Sequence, residues 1–203
     1  MKLYYLQGAC SLAVHIVLEW IGEPYESESI ARTALKSEAF LALNPVGSVP
    51  VLRDDDFILT QSTAILQYLG EKYPAANLVG SDLHSRAEVR RWLGVVNSDV
   101  HRLFGLLFGW KNYVAEACKD ELIAGAKTQL QRYFALLNTQ LQGKNYLTGT
   151  RSVADAYLWV TLRWAGLVGV DISPYPELVR FYEQLALDAG VQSALTQEGL
   201  SLA

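Results

Sequence analysis

The segment Asn44-Pro45-Val46-Gly47-Ser48-Val49-Pro50-Val51-Leu52 is the most informative part of this chain, because two prolines and a glycine stand directly before a short apolar run. This composition predicts a tight turn that leads into a β-strand. A proline at a strand start lacks a backbone donor, and X-Pro bonds are the ones that readily become cis. A cis Val49-Pro50 bond would turn the amide and carbonyl of Val49 outward, where an extended peptide can pair with them.

A second segment, Leu59-Thr60-Gln61-Ser62-Thr63-Ala64-Ile65, predicts the start of a helix. Ser62 is a suitable N-cap, and Gln61 stands beside it. The free amides and the positive dipole end at a helix start favour a carboxylate. The two segments together predict a binding site for a short acidic peptide.

Length and composition limit the class of protein. The chain has 203 residues, of which 51% are hydrophobic and 19% charged, so it is long and apolar enough for two modest domains. The net charge of −4 gives no basic surface for nucleic acid. We expect no membrane span and no signal peptide, because no apolar run is long enough and the N-terminus predicts a strand.

The cysteine and motif content argues against a cofactor bound by the usual signatures. The two cysteines are far apart in the sequence, which favours a reducing, cytoplasmic location. There is no CxxC pair, no HExxH and no glycine-rich phosphate loop. We therefore expect neither a metal site nor a nucleotide site.

The apolar patterns predict an α/β front over residues 1–79 and an all-helical back over residues 80–203. The first two strands should be parallel across a helix, and the last two should form a hairpin around Arg53–Asp56. Ser152-Val153-Ala154-Asp155 has the spacing of a capping box, with Asp in place of the usual Glu. The predicted segments are strand 3–6, helix 10–22, strand 25–30, helix 31–43, strands 51–52 and 57–59, a helix from 62, a linker at 73–80, and helices 82–110, 121–141, 153–168 and 176–187.

This arrangement resembles a known family. The α/β front, the helical extension, the Val49-Pro50 turn and the Gln61-Ser62 helix start together resemble a cytosolic glutathione S-transferase over essentially the whole chain. The Met1–Tyr5 strand followed by Cys10-Ser11, with His101 on the long helix, resembles the bacterial beta class. The resemblance implies the fold class α/β + all-α, an N-terminal thioredoxin-like domain that binds glutathione followed by an all-helical C-terminal domain with an electrophile pocket. It also implies a homodimer that uses glutathione as co-substrate.

Cys10 is the sharpest candidate for chemistry. In the first turn of a predicted helix, free amides and the helix dipole favour a thiolate, either its own or a bound one. The alternative is a small buried apolar residue. The resemblance implies contact with the glutathione sulfur and a mixed disulfide, whereas Ala13 in place of a second cysteine argues against dithiol exchange. Cys118 is interpreted as incidental.

Three further residues are candidates for activating or orienting the sulfur. The hydroxyls of Tyr5 and Ser11 would lower a thiol pKa by donating to the thiolate. Their structural alternatives are a core aromatic and an N-cap. A lone helical histidine such as His101 is more often packed than functional, but the resemblance implies that it faces the thiol and orients the sulfur or an electrophile.

The resemblance also assigns contacts to the substrate. Gln61 and Ser62 would hold the γ-glutamyl carboxylate, although beta-class proteins usually carry an acidic residue at the position of Gln61. Val49 and Pro50 would hold the cysteinyl backbone, and Lys36 the glycyl carboxylate.

The resemblance also implies contacts with a second subunit. Gly94 stands where beta-class relatives carry an asparagine that crosses the dimer interface, so Asn97 or Asp99 would substitute for it or the contact is lost. Arg102 would reach its own ligand or that of the second subunit. An apolar wall for the electrophile would include Phe104 and Phe108, with Leu103, Leu107, Trp110 and Tyr113, although for half of these residues a core position is the better interpretation.

Three functions stay open on the sequence. The leading one is conjugation of glutathione to small apolar electrophiles by an enzyme-stabilised thiolate. The second is a thiol-disulfide or peroxide reductase that passes through a mixed disulfide at Cys10. The third is a non-catalytic binding or interaction module on the same fold.

Overall fold

The computed structural model describes residues 1–202 as two compact units. The first unit consists of Met1–Val79 together with Ala186–Leu202, and the second of Gly80–Leu185. The sequence pattern predicts residues 186–203 as part of the helical domain. The segment from 186 to 202 joins the first unit instead, because its helix packs on the first helix of the chain.

The first unit contains a four-stranded mixed sheet in the order β2-β1-β3-β4. Its strands are β1 (Lys2–Tyr5), β2 (Glu26–Ser29), β3 (Val51–Asp54) and β4 (Phe57–Thr60). β1 runs parallel to β2, whereas β1 with β3 and β3 with β4 are antiparallel. The predicted parallel pair and hairpin are thus confirmed. The hairpin turn is shorter than predicted and is made by residues 55 and 56 alone.

Four helices belong to this unit. They are α1 (Ser11–Ile21), α2 (Glu38–Leu43), α3 (Ser62–Lys72) and α9 (Ala189–Gln197). The predicted helix 31–43 is divided into a 3₁₀ turn, Arg32–Lys36, and α2. All residues of α1 from 11 to 18 are buried, since β1, α3 and α9 pack around it.

The second unit is helical throughout its regular structure. Its helices are α4 (Leu83–Gly94), α5 (Arg102–Gly109), α6 (Lys119–Gln140), α7 (Val153–Leu167) and α8 (Pro176–Ala186). Between α4 and α5 the long predicted helix contains a π-helix, Val95–His101, which the apolar periodicity did not predict. α7 is buried on every face from residue 153 to residue 165, so it is the centre of this unit.

The start of α7 is held by a buried carboxylate. Asp155 accepts hydrogen bonds from the Ser152 amide (2.8 Å), the Ser152 hydroxyl (2.7 Å) and the Leu147 amide (2.8 Å). Burial raises the pKa of Asp155 to about 6, and the hydrogen bonds act in the opposite direction. The aspartate of the predicted capping box therefore satisfies two backbone donors at once.

Candidate functional site

The loop after β1 brings the two predicted turns of the first unit together. Cys10 occupies the N-cap position of α1 and is half-buried. Its thiol donates to the carbonyl of Val49 over 3.4 Å. The Val49-Pro50 bond is cis, as the proline-rich turn suggested. A thiol at a helix start thus lies beside the backbone that was predicted to pair with a peptide.

The environment of Cys10 does not by itself produce a thiolate. Burial raises the pKa of the Cys10 thiol, while the Ser62 hydroxyl and the amides of Cys10 and Ser11 act to lower it. The helix-start amides therefore work in the predicted direction but are outweighed by desolvation. The resting side chain is a protonated thiol that stands next to an anion-stabilising set of donors.

The turn from residue 44 to residue 50 is fixed by Asn44, which the sequence interpretation did not single out. This buried amide donates to the carbonyl of Ser48 over 2.7 Å and accepts from the Val46 amide over 3.1 Å. Lys36, a predicted substrate contact, donates to the Val46 carbonyl over 2.7 Å. These bonds hold the turn that presents Val49.

Gly47 makes the closest approach in this turn. Its φ is +64°, and a Cβ atom there would lie 2.6 Å from the Leu35 carbonyl oxygen. Only glycine fits such a position without displacing backbone. The turn therefore depends on this residue as well as on its prolines.

The start of α3 differs in one respect from the prediction. The N-cap is Gln61 rather than Ser62, and Ser62 is the first helical residue. Gln61 has φ +75° and ψ 120°, a conformation that costs a non-glycine residue free energy and that occurs preferentially at functional sites. Its side chain is exposed and makes no hydrogen bond within residues 1–202. Ser62 is buried, and its hydroxyl reaches the Cys10 thiol.

The hydroxyls of Tyr5 and Ser11 are engaged elsewhere in the first unit. The Ser11 hydroxyl donates to the Leu6 carbonyl and accepts from the Leu6 amide, each over 3.2 Å. The Tyr5 hydroxyl donates to the Gln197 carbonyl over 3.5 Å, and burial raises its pKa. Both contacts support the structural alternatives over a role in activating sulfur.

A buried polar network ties the C-terminal segment to the loop that carries Cys10. Glu198 accepts from the Gly8 amide over 2.8 Å and lies 3.0 Å from His15 Nδ1. Both side chains of the Glu198–His15 pair are fully buried. Because Gly8 is two residues before Cys10, this carboxylate fixes the loop at which the thiol is placed.

We expect Glu198→Ala to lower the free energy of unfolding by about 2 kcal/mol, because the Gly8 amide and the His15 ring would both lose a buried partner. Urea unfolding of the variant and of Glu183→Ala, an exposed control, would measure this difference. Equal stabilities of the two variants would contradict it.

In the second unit, His101 is the last residue of the π-helix. Its Nδ1 lies 2.5 Å from the hydroxyl of Tyr157 on α7, and that hydroxyl donates to Asn97 Oδ1 over 3.1 Å. Burial lowers the pKa of His101 to about 4, so its ring is neutral near pH 7. The network was not predictable from the sequence, because Tyr157 is 56 residues from His101.

Aromatic rings surround His101. The Trp164 ring lies 4.9 Å from His101, 5.7 Å from Phe104 and 5.7 Å from Phe108, between ring centroids. Phe104 is fully buried, whereas Phe108 is 53% exposed. Two members of the predicted apolar wall therefore join one cluster, and the sequence interpretation missed Trp164.

Other predicted wall residues lie elsewhere in the second unit. Leu103 lines a groove of about 530 Å³ between α5 and α6, together with Leu106 and the exposed Cys118. The Trp110 ring is covered by the ammonium groups of Lys111 and Lys119. The wall is thus divided between separate surfaces.

Of the residues assigned to a second subunit, Arg102 is exposed and Asp99 is half-buried. Burial and the Asp99 carboxylate both raise the pKa of Tyr133 on α6. Within residues 1–202 no three His, Cys, Asp or Glu side chains come together as metal ligands do. No helix in the same part of the chain has the length and apolarity needed to cross a membrane.

The pKa of His101 predicts a pH-dependent stability. The unfolded chain takes up this proton near pH 6.5 and the folded chain only near pH 4, so stability is lost as pH falls through that window. We expect the stability gap between wild type and His101→Gln to narrow by about 2–3 kcal/mol between pH 7 and pH 4. Urea titrations of both proteins at several pH values would measure the gap. A gap that does not change with pH would contradict the assignment.

The fold and the first-unit site define a class. A thioredoxin-like sheet whose cis-proline turn faces a helix start with a reactive side chain, followed by an all-helical part, is the architecture of a glutathione transferase. Family models agree: one described as "Glutathione S-transferase, N-terminal domain" matches residues 8–72, and one described as "Glutathione S-transferase, C-terminal domain" matches residues 120–184.

Individual relatives cover the whole chain. Glutathione S-transferase GST-4.5 of Xanthomonas campestris is 45% identical over 99% of this chain and 100% of its own. A sphingomonad glutathione S-transferase solved in complex with glutathione is 36% identical, with a TM-score of 0.88 over 99% of this chain and 100% of that one. A beta-class enzyme of Sphingomonas chungbukensis is 35% identical, with a TM-score of 0.89 over the same shares.

The chain belongs to the glutathione S-transferase family. The predicted fold class and the resemblance to the bacterial beta class are confirmed. Membership in an enzyme family argues against the non-catalytic alternative.

Proposed function

We propose that this protein conjugates glutathione to small apolar electrophiles, with the tripeptide bound in the first unit. The observation that carries the proposal is the meeting of the Cys10 thiol, the Val49 carbonyl and the Ser62 hydroxyl at the starts of two helices. The glutathione complex of the sphingomonad relative supports the choice of ligand.

The tripeptide is held mainly by backbone groups and by Ser62. The free amides at the start of α3 and the Ser62 hydroxyl bind the γ-glutamyl carboxylate. Val49 pairs with the cysteinyl backbone as a strand would, and Pro50 fixes its orientation. Lys36 contacts the glycyl carboxylate from the neighbouring turn. Gln61, whose side chain is exposed, contacts the γ-glutamyl group.

The sulfur of glutathione is then placed at the start of α1. The amides of Cys10 and Ser11 stabilise its thiolate, and the Cys10 thiol donates a hydrogen bond to it. The hydroxyls of Tyr5 and Ser11 act structurally, since their protons go to backbone carbonyls. In the second unit, His101, Phe104 and Phe108 receive the electrophile.

A second function is favoured by the position of the free Cys10 thiol at the start of α1. In thiol-disulfide exchange, the Cys10 thiolate attacks the glutathione sulfur of a substrate that carries glutathione as a mixed disulfide. Cys10 then holds the glutathione, and the substrate thiol leaves as the thiolate. A second glutathione then attacks the mixed disulfide, which regenerates Cys10 and glutathione disulfide.

We also propose a cytoplasmic homodimer. Val46, Phe57 and Ile58 of the first unit are exposed apolar side chains, which is the kind of surface that an interface covers. In the dimer, Arg102 contacts its own ligand or that of the second subunit, and Asp99 replaces the contact that Gly94 lacks. Light scattering after size-exclusion chromatography should give twice the mass of 22.5 kDa.

The two functions are separated by Cys10→Ala, with Cys118→Ala as the control for the other cysteine. Conjugation of glutathione to 1-chloro-2,4-dinitrobenzene should survive Cys10→Ala at a reduced rate, because the helix-start amides stay in place. Intact mass after exposure to glutathione disulfide should show one adduct in wild type and Cys118→Ala and none in Cys10→Ala. Absence of conjugation in all three proteins would contradict the proposed function.

A further inference from the structure

Three side chains of the second unit form a hydrogen-bonded row. The Tyr157 hydroxyl donates to Asn97 Oδ1 over 3.1 Å and lies 2.5 Å from His101 Nδ1. Tyr157 is fully buried on α7, whereas Asn97 and His101 lie one turn apart on the π-helix and are half-buried. The row therefore lies where the helix departs from regular α-helical geometry. Such π-helical turns are frequent at functional sites.

The row determines which nitrogen of His101 carries a proton. A phenol has one proton to donate, and an amide oxygen only accepts. Since Asn97 Oδ1 receives that proton, the Tyr157 oxygen accepts from the imidazole, and Nδ1 is the protonated nitrogen. Nε2 is left with a lone pair and has no hydrogen-bond partner within residues 1–202.

We propose that Tyr157 and Asn97 are positioning residues that hold His101 in the Nδ1–H tautomer, so that Nε2 accepts a hydrogen bond from the bound electrophile. This inference rests on the role proposed above for His101 in conjugation. Burial keeps the pKa of His101 at about 4, so the acceptor persists through the neutral range.

The aromatic rings near His101 indicate the class of electrophile. The rings of Phe104 and Trp164 offer apolar contact, and Trp164 lies 4.9 Å from the imidazole. A neutral acceptor among aromatic rings favours an apolar electrophile that carries one hydrogen-bond donor, such as a secondary amide. An electrophile without a donor leaves the lone pair unsatisfied, which costs about fivefold in kcat/KM for one neutral hydrogen bond.

The tautomer is measured by long-range ¹H–¹⁵N correlation spectra of the imidazole rings, which distinguish a protonated from an unprotonated nitrogen. The chain has three histidines, so the spectrum of His101→Gln assigns the His101 signals. We expect Nδ1–H in wild type and a shift towards Nε2–H in Tyr157→Phe. We expect the same shift in Asn97→Ala, because the Tyr157 proton is then free to turn to Nδ1.

Tyr175→Phe is the matched control. Its hydroxyl lies in the same unit and contacts Gln131 at 2.9 Å and 2.6 Å, so its loss perturbs stability without touching the row. An Nε2–H tautomer in wild type would overturn the proposal. An Nδ1–H tautomer that persists in both Tyr157→Phe and Asn97→Ala would also overturn it. Asn97→Ala keeps Tyr157 in the core, so a folding defect of Tyr157→Phe does not remove the test.

A second experiment compares the rates at which glutathione is conjugated to two electrophiles, a secondary amide of an α,β-unsaturated acid and its N-methylated tertiary amide. Wild type and Tyr175→Phe should prefer the secondary amide by about fivefold in kcat/KM, and the two row variants should lose this preference. Equal rates for the two amides in wild type would overturn the assigned role of Nε2. If no glutathione is conjugated to either amide, the proposed function fails, while the spectra still test the tautomer.

Discussion

Replacing Asp155 by Ala should lower the free energy of unfolding by about 3–4 kcal/mol, because two buried amides and one hydroxyl would lose their acceptor together. The amides are those of Leu147 and Ser152, which the α7 start and the preceding loop present to one carboxylate. α7 is the buried centre of the second unit, so weakening the start of this helix destabilises the unit as a whole. Urea unfolding followed by circular dichroism would measure the change.

Two variants make this expectation specific. Asp155→Asn keeps an accepting oxygen and should lose less than Asp155→Ala. Asp171→Ala removes a carboxylate that also accepts from an amide and a hydroxyl, both of Ser173, but on the surface, and should leave stability nearly unchanged. If Asp155→Ala were no less stable than Asp171→Ala, the capping role would be wrong.

Ser62→Ala should weaken glutathione binding by about 10- to 100-fold, the effect of losing one hydrogen bond to a charged group. Ser62 is buried at the start of α3 and lies beside Cys10, where the γ-glutamyl end is proposed to bind. Thr63→Ala changes the neighbouring, half-exposed hydroxyl and is the matched control. Calorimetric titration would give both dissociation constants.

A Ser62→Ala variant that binds as tightly as Thr63→Ala would place the carboxylate elsewhere. A variant that loses affinity and stability together would not be informative about binding, so its unfolding midpoint should be compared with that of wild type. We expect that midpoint to change little, since the N-cap position of the helix belongs to Gln61, which the substitution leaves in place.

Local signals were sufficient for most of the first unit. The prolines and Gly47 identified the turn before β3, and the acidic residues between the last two strands identified the hairpin. The glycine at position 22 ends α1 with φ +77°, as predicted. Each of these signals acts within a few residues, which is why sequence patterns contain them.

Interactions between distant residues escaped prediction. His15 and Glu198 are 183 residues apart, and nothing near either one indicates the other. The helix α9 was missed because it is short, and its place in the first unit depends on contacts with α1. A spacing rule contains no information about such pairs.

The candidate site was predicted in part. Cys10, Val49 and Ser62 do come together, but the engaged hydroxyls of Tyr5 and Ser11 depend on backbone groups whose positions only the fold determines. The direction of the Cys10 pKa was also beyond the sequence, because desolvation depends on packing. Trp164 and Tyr157 lie on a helix that is buried on all faces, where no pattern distinguishes a site residue from the core.

The most direct test of the account is a calorimetric titration of the reduced protein with glutathione. We predict saturable binding of one glutathione per chain, retained in Cys118→Ala and weakened in Ser62→Ala. No binding at millimolar glutathione by a folded protein would contradict it, and the chain would then have kept the family fold without its ligand.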